Sequence, residues 1–196
     1  MDKKKIAGVI LSAGDSKRMG QPKALLNLNG KTFLNTIIKN LAAAYFDPLI
    51  LVLGTNYELV KESLPDDNKI NLLRNPNPEQ GQLSSLQIAI NELPPDCNGL
   101  LQTLVDHPLV KLSTYKFLYN EAQKKNDEII IPVFRGRRGH PVYFGKKYFS
   151  DLLNAPLNRG ARYVVDKYSK QVQHLEIMDK GVILDIDTPI DYQTYI

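Results

Sequence analysis

Residues 6–26 read IAGVILSAGDSKRMGQPKALL, and this stretch decides the architecture. An apolar run, Ile6 to Leu11, breaks into a loop carrying Gly14 and Gly20 together with three cations, Lys17, Arg18 and Lys23. A continuous apolar run of this length is the mark of a strand buried on both faces. Glycines let backbone N–H groups approach a ligand closely, and Lys and Arg supply charge for phosphate. An anion site at the carboxyl end of the first strand is therefore expected. The loop is not a P-loop, because Gln21 and Pro22 separate Gly20 from Lys23. Its glycines are too far apart for the dinucleotide-binding fingerprint. On composition alone, a solvated basic loop between strand and helix would look the same.

Outward from this loop, apolar periodicity sets the rest of the chain. Phe33, Leu34, Ile37, Ile38 and Leu41 share one face of a helix, and residues 48–53 form a second buried strand closed by Gly54. A short helix over 58–64 and a strand over 70–73 follow. This alternation predicts a doubly wound α/β fold with ligands at the carboxyl ends of the strands. Two Asn-Pro pairs in RNPNPEQGQLSSLQIAINEL (74–93) enforce an extended entry, after which Ser84 or Ser85 caps a helix. The helix N-terminus behind Gly81 offers free N–H groups to a base, ribose or phosphate.

The fourth strand, 99–105, ends in Asp106-His107-Pro108, which places a carboxylate at the ligand crevice where it can hold Mg²⁺. His107 reads as structural. Ser113 is expected to cap a helix over 114–124, before a strand over 128–133. Residues 135–139, RGRRG, read as a flexible cationic turn leading through His140 into a strand over 141–144. A helix from 158 to 168 and a strand over 171–177 come next. On a final strand Asp185 and Asp187 would share a face, and Thr188-Pro189 opens the last helix, with Asp187 a candidate for its N-cap.

LSAGDSKRMGQPKALL (11–26) resembles the opening signature of the MobA-like nucleotidyltransferases, most of all their MocA-like branch, the molybdenum-cofactor cytidylyltransferases. The resemblance returns at NPNPEQGQLSSL (75–86), LVDHPLV (104–110), RRGHPVYF (137–144) and DIDTPIDY (185–192), and so covers nearly the whole chain. It implies one nucleotidyltransferase domain over 1–196, with a Rossmann-like, GT-A-like, mostly parallel sheet and a small antiparallel addition. Carried over residue by residue, it makes Arg18, Lys23 and Asp106 catalytic. Ser12, Ala13, Gly14, Arg18, Lys23, Gly81 and Ser84 become the nucleotide site, Asp106 and Asp187 the ligands of Mg²⁺ (or Mn²⁺), and Arg138 and His140 the acceptor site. The implied substrates are CTP and molybdopterin carrying molybdenum, and a molybdoenzyme or maturation chaperone is an implied partner. Ser12 departs from the family's usual Ala or Gly and leaves CTP against GTP open. The absence of an acidic residue before Lys23 favours the cytidylyl branch. Two alternatives stand: a guanylyl- or sugar-phosphate nucleotidyltransferase of the same fold, and a non-catalytic pterin carrier. The intact set of Arg18, Lys23, Asp106 and Asp187 argues against the carrier.

Composition agrees with an enzyme of small polyanions. The 196 residues suffice for a sizeable core, and the single cysteine, Cys97, excludes an internal disulfide and a multi-cysteine metal site. The net charge of +4 would suit nucleic acid, but the basic residues are scattered and no helix-turn-helix or basic aromatic module appears. No apolar run approaches the ~20 residues of a membrane span, and the short run after MDKKK reads as a first strand, so a cytoplasmic location is expected.

Overall fold

The computed structural model describes residues 3–65, 69–125 and 127–196. In chain order the elements are β1 (Lys5–Ser12), a two-residue hairpin of β2 (Asn27–Leu28) and β3 (Lys31–Thr32), α1 (Phe33–Ala43), β4 (Leu49–Leu53), α2 (Tyr57–Glu62) and β5 (Ile70–Arg74). Then come α3 (Gln82–Asn91), β6 (Cys97–Leu104), α4 (Leu112–Lys124), β7 (Ile129–Phe134), β8 (Arg137–Arg138), β9 (Val142–Gly145) and α5 (Phe149–Leu153). The chain closes with α6 (Arg162–Lys167), β10 (Val172–Glu176) and α7 (Pro189–Tyr195).

The main sheet runs β10-β7-β9-β6-β1-β4-β5, with β8 paired to β7. β1 is parallel to both β4 and β6, β4 to β5, and β7 to β10. β9 is antiparallel to both its neighbours, β6 and β7. The antiparallel element is therefore inserted near the middle of the sheet. It sits there because Arg137–Arg138 and Val142–Gly145 return from β7 through a short connection, which only an antiparallel pairing can close. The β2–β3 hairpin forms a separate two-stranded sheet.

The central strands carry apolar side chains on both faces, as buried parallel strands must. On one face Ile6, Ile10, Leu51 and Leu101 pack with the helix residues Leu34, Ile37, Leu41 and Leu118. On the other, Val9, Leu11, Val52, Leu100 and Leu104 pack with Leu83, Leu86 and Ala89 of α3. Removing this apolar surface from water at about 25 cal/mol per Å² holds the layers together. Thr32 caps α1 by accepting a hydrogen bond from the Asn35 N–H at 3.1 Å.

Several local expectations are corrected. α3 starts at Gln82 with Gly81, at φ +91°, as its N-cap and no side-chain cap. Ser84 and Ser85 lie inside the helix, where their hydroxyls accept from the buried Asn75 amide at 2.8 and 2.9 Å. α4 starts at Leu112, ahead of Ser113. A remote carboxylate caps it: Asp179 accepts from the Lys111 N–H at 2.9 Å and from the Thr114 hydroxyl at 2.6 Å. Gly160, at φ +64°, divides the expected helix over 158–168 into a 3-10 turn and the shorter α6. Arg137 and Arg138 belong to a strand of the sheet. Residues 181–187 join no strand: a 3-10 turn, Lys180–Ile183, leads into an extended segment. The N-cap of α7 is Thr188 rather than Asp187, in a reciprocal capping box with Asp191.

Candidate functional site

Because β1 and β6 are parallel neighbours with Leu11 opposite Leu104, the chain leaves both strands on the same side of the sheet. The loop after Ser12 and the Asp106-His107 pair therefore emerge together. Between them and the 137–140 segment lies a cleft of about 730 Å³. Ser12, Ala13, Gly14, Arg18, Lys23, Gly81, Asp106, Arg138, His140 and Asp187 all line it, so the fold gathers nearly every expected site residue in one place. Ser84 is absent from the lining; its hydroxyl donates to the Gly81 carbonyl at 2.7 Å, while its neighbour Ser85 faces the cleft.

Packing explains why Arg18 and Asp187, 169 residues apart, meet. Met19 and Ile186, the residues beside them, are both buried in a small cluster with Leu26 and Phe33. Their burial clamps the basic loop onto the extended segment, and the Arg18 guanidinium reaches the Asp187 carboxylate at 2.5 Å. Lys23, just past Pro22, turns its ammonium between two carboxylates: it lies 3.3 Å from Asp106 Oδ2 and donates to Asp187 Oδ1. Lys17 also lines the cleft but pairs with Asp15, 2.8 Å off, rather than with Asp106 or Asp187. The three cations of the loop thus divide, with Arg18 and Lys23 on the two remote carboxylates and Lys17 on its neighbour.

Burial alone would push the Asp187 carboxyl up, but Lys23 and Arg18 outweigh it and hold the group below its ordinary value. On the opposite wall the rings of His107 and His140 stand 5.1 Å apart. Burial, with His107 adding to it, drives the His140 imidazole down to about 3. His140 is thus neutral at physiological pH and can offer an anion a hydrogen bond but no charge; charge on that wall comes from Arg137 and Arg138. Gly139 is required between them and His140, since a Cβ there would sit 2.2 Å from the Val182 carbonyl oxygen.

Asp106 and Asp187 supply hard oxygen donors of the kind that Mg²⁺ and Mn²⁺ take. Asp106 Oδ1 is buried and makes no hydrogen bond among the described residues, and the Lys23 ammonium already neutralises the other side of the pair. A divalent ion completed by phosphate oxygens fits this donor set. Among the described residues no group of three or more His, Cys, Asp or Glu forms a metal site on its own.

The lining also holds residues that the sequence reading does not mark as ligand-facing, among them Asp15, Ser16, Gln82, Ser85, His107, Arg137 and Asp185. For Arg137 the signal was present in the RRG run. His107, which reads from sequence as structural, lines the cleft while only 7% exposed.

The family model of the MobA-like NTP transferase domain matches residues 8–173. The molybdenum cofactor cytidylyltransferase of Escherichia coli K12 is 31% identical over 189 residues, 95% of this chain and 93% of the relative. A probable molybdenum cofactor guanylyltransferase of Synechococcus elongatus is 25% identical, over 95% of this chain and 96% of the relative. A crystal structure of a protein from Mycobacterium tuberculosis H37Rv has a TM-score of 0.84 at 28% identity, covering 97% of each chain. Its complex with manganese gives 0.79 at 27% identity, also over 97% of each chain. No helix among the described residues is long and apolar enough to cross a membrane.

Proposed function

The chain belongs to the MobA-like NTP transferase family of nucleotidyltransferases, and from that premise we propose that residues 1–196 act as one catalytic unit that moves CMP from CTP onto the phosphate of molybdopterin. The observation that carries this reading is the meeting of Arg18, Lys23, Asp106 and Asp187 at the carboxyl ends of β1 and β6, opposite the basic 137–140 wall. The full-length similarity to the Escherichia coli cytidylyltransferase supports the choice of CTP and of the acceptor.

The described cleft offers no Ser–His–Asp set, and the one cysteine is buried away from it with its thiol pushed up by burial. A nucleophile brought by the acceptor fits such a site. A phosphate monoester oxygen is already ionised and attacks the α-phosphorus. One P–O bond forms there as the bond to the β-phosphate bridging oxygen breaks, and pyrophosphate leaves with its electron pair. The protein must align these groups and stabilise the charge that accumulates on the leaving side. Lys23 and Arg18 present their cations to the triphosphate, for which they must exchange their present carboxylate partners. The backbone from Ser12 to Gly14 and the N-terminus of α3 at Gly81 hold the nucleoside. Arg138 draws in the acceptor phosphate, and neutral His140 donates a hydrogen bond to it. Asp106 and Asp187 would hold Mg²⁺ or Mn²⁺, which would supply charge neutralisation across the phosphates.

The test is pyrophosphate release with Mg²⁺, offering CTP, GTP, ATP and UTP separately, each with and without molybdopterin-bound molybdenum. Release with CTP and cofactor together is expected. Release with GTP instead moves the protein to the guanylyl branch, and silence with every pair favours a carrier or a different acceptor.

A further inference from the structure

Beside the catalytic cleft lies a second cavity of about 400 Å³, and the two share Gln82, Arg138, Gly139 and His140 as a common wall. Its apolar lining is formed by Leu83, Ile131, Val142, Phe144 and Val165, and Gln82, Arg138, His140 and Arg162 are polar residues beside them. One further polar group stands among the apolar residues. Gln102 stands in the middle of β6, opposite Val142 of β9, on the strand face that also carries Leu100 and Leu104. It is only 4% exposed, it lines the cavity, and its amide has no hydrogen bond to any described residue. A buried polar group normally has a partner, because leaving one unpaired is costly. Its neighbours on the same face of β6, Leu100 and Leu104, are apolar.

We propose that this cavity receives the ring system of the acceptor and that Gln102 reads the ring's edge. The ligand class follows from the walls. A flat heterocycle of one to three fused rings fits an apolar slot of this volume. An amide presents a donor beside an acceptor, so the complementary edge is lactam-like, with C=O next to N–H, the pairing by which Gln and Asn read nucleobases. Arg138 and Arg162 stand among the cavity residues, and Arg138 also belongs to the cleft, so a phosphate on the ring's substituent would lie toward the nucleotide. Gln102 touches no reacting atom here; it sets which acceptor is accepted and in what register. The inference rests on the acceptor reading given above.

The experiment measures binding of 6-hydroxymethylpterin, which carries the lactam edge but no phosphate, and of its N3-methyl derivative, in which the donor is blocked. Both are titrated by pterin fluorescence into the full-length wild-type protein, Gln102→Leu and Gln102→Met. The wild type should bind the parent ring about tenfold more tightly than the methylated one, the effect of one good hydrogen-bonded edge. Both variants should bind the two rings equally, with unchanged affinity for CTP and an unchanged melting temperature. Failure of the wild type to bind the parent ring, no preference between the rings, or a preference that survives in either variant overturns the proposal. Pyrophosphate release by the wild type with CTP and molybdopterin is followed in parallel. Release without ring binding removes the ring pocket and keeps the transferase reading; ring binding without release does the reverse.

Discussion

The Ile186 N–H donates to the Asp106 carbonyl at 2.8 Å, so the residue before one cleft carboxylate is tied by its backbone to the residue that bears the other. Asp106 sits in the turn directly after β6, whereas Asp187 lies on a segment outside the sheet. This bond, with the one from the His140 N–H to the Val182 carbonyl at 2.8 Å, fastens that segment across the cleft. The spacing of the two carboxylates is therefore set by main chain, which leaves their side chains free to exchange Lys23 for another cation.

Replacing Asp106 by Asn keeps the shape and removes the charge. Turnover should fall at least about 100-fold, since charge placed for the transition state is lost. The melting temperature should stay close to wild type. Steady-state pyrophosphate release and a thermal scan check both halves, and near-normal rates would withdraw Asp106 from the metal assignment.

Chelation gives a separate outcome. Excess EDTA should abolish pyrophosphate release, and Mg²⁺ or Mn²⁺ added beyond the chelator should restore it. Full activity in EDTA would mean that Lys23 and Arg18 neutralise the triphosphate alone.

The depressed Asp187 carboxyl predicts a pH dependence of stability. Its folded value lies below the ordinary 3.8, where burial opposes but Lys23 and Arg18 prevail. The unfolded chain therefore takes up the proton first as pH falls. The stabilisation is fully present above 3.8 and is lost as pH drops through the folded value. Lys23→Met removes the first of the two lowering cations, so the Asp187 carboxyl should titrate at higher pH in NMR and the acid-side loss of stability attributable to it should shrink. An unmoved Asp187 titration would show that Lys23 is not its controlling partner.

Asp179, only 3% exposed, accepts from the Lys111 N–H, the Thr114 hydroxyl and, at 3.0 Å, the Gly181 N–H. Asp179→Ala strands three donors and frees the root of the segment that carries Asp187. A loss of about 3 kcal/mol in urea unfolding is expected, as for other buried charged acceptors. A change under about 1 kcal/mol would show that the segment is held by its backbone bonds alone.

Arg138 lies on the wall shared by the two cavities, and Arg138→Ala should raise the apparent KM for the acceptor about tenfold while that for CTP moves much less. Equal effects on the two constants would place Arg138 on the nucleotide.

The sequence by itself determined the layered α/β class, because strands buried on both faces are written as apolar runs: 6–11 and 48–53 are unbroken ones, and 99–105 is one interrupted only by Gln102 and Thr103. It also determined the basic glycine loop and the strand-end Asp106, since those depend on residues adjacent in the chain. Tertiary structure alone decided the rest. Periodicity cannot say that β9 enters the sheet antiparallel between β6 and β7, because pairing is chosen by packing and connection length. It likewise could not show that residues 181–187 leave the sheet, since their apolar pattern serves equally well to bury Val182 and Ile186 against loops. The capping of α4 by Asp179 and the placing of the Gln102 amide in a cavity, with no hydrogen bond among the described residues, are long-range facts of the same kind. Local sequence fixes which way a chain bends; what a buried polar group faces depends on chain brought in from elsewhere.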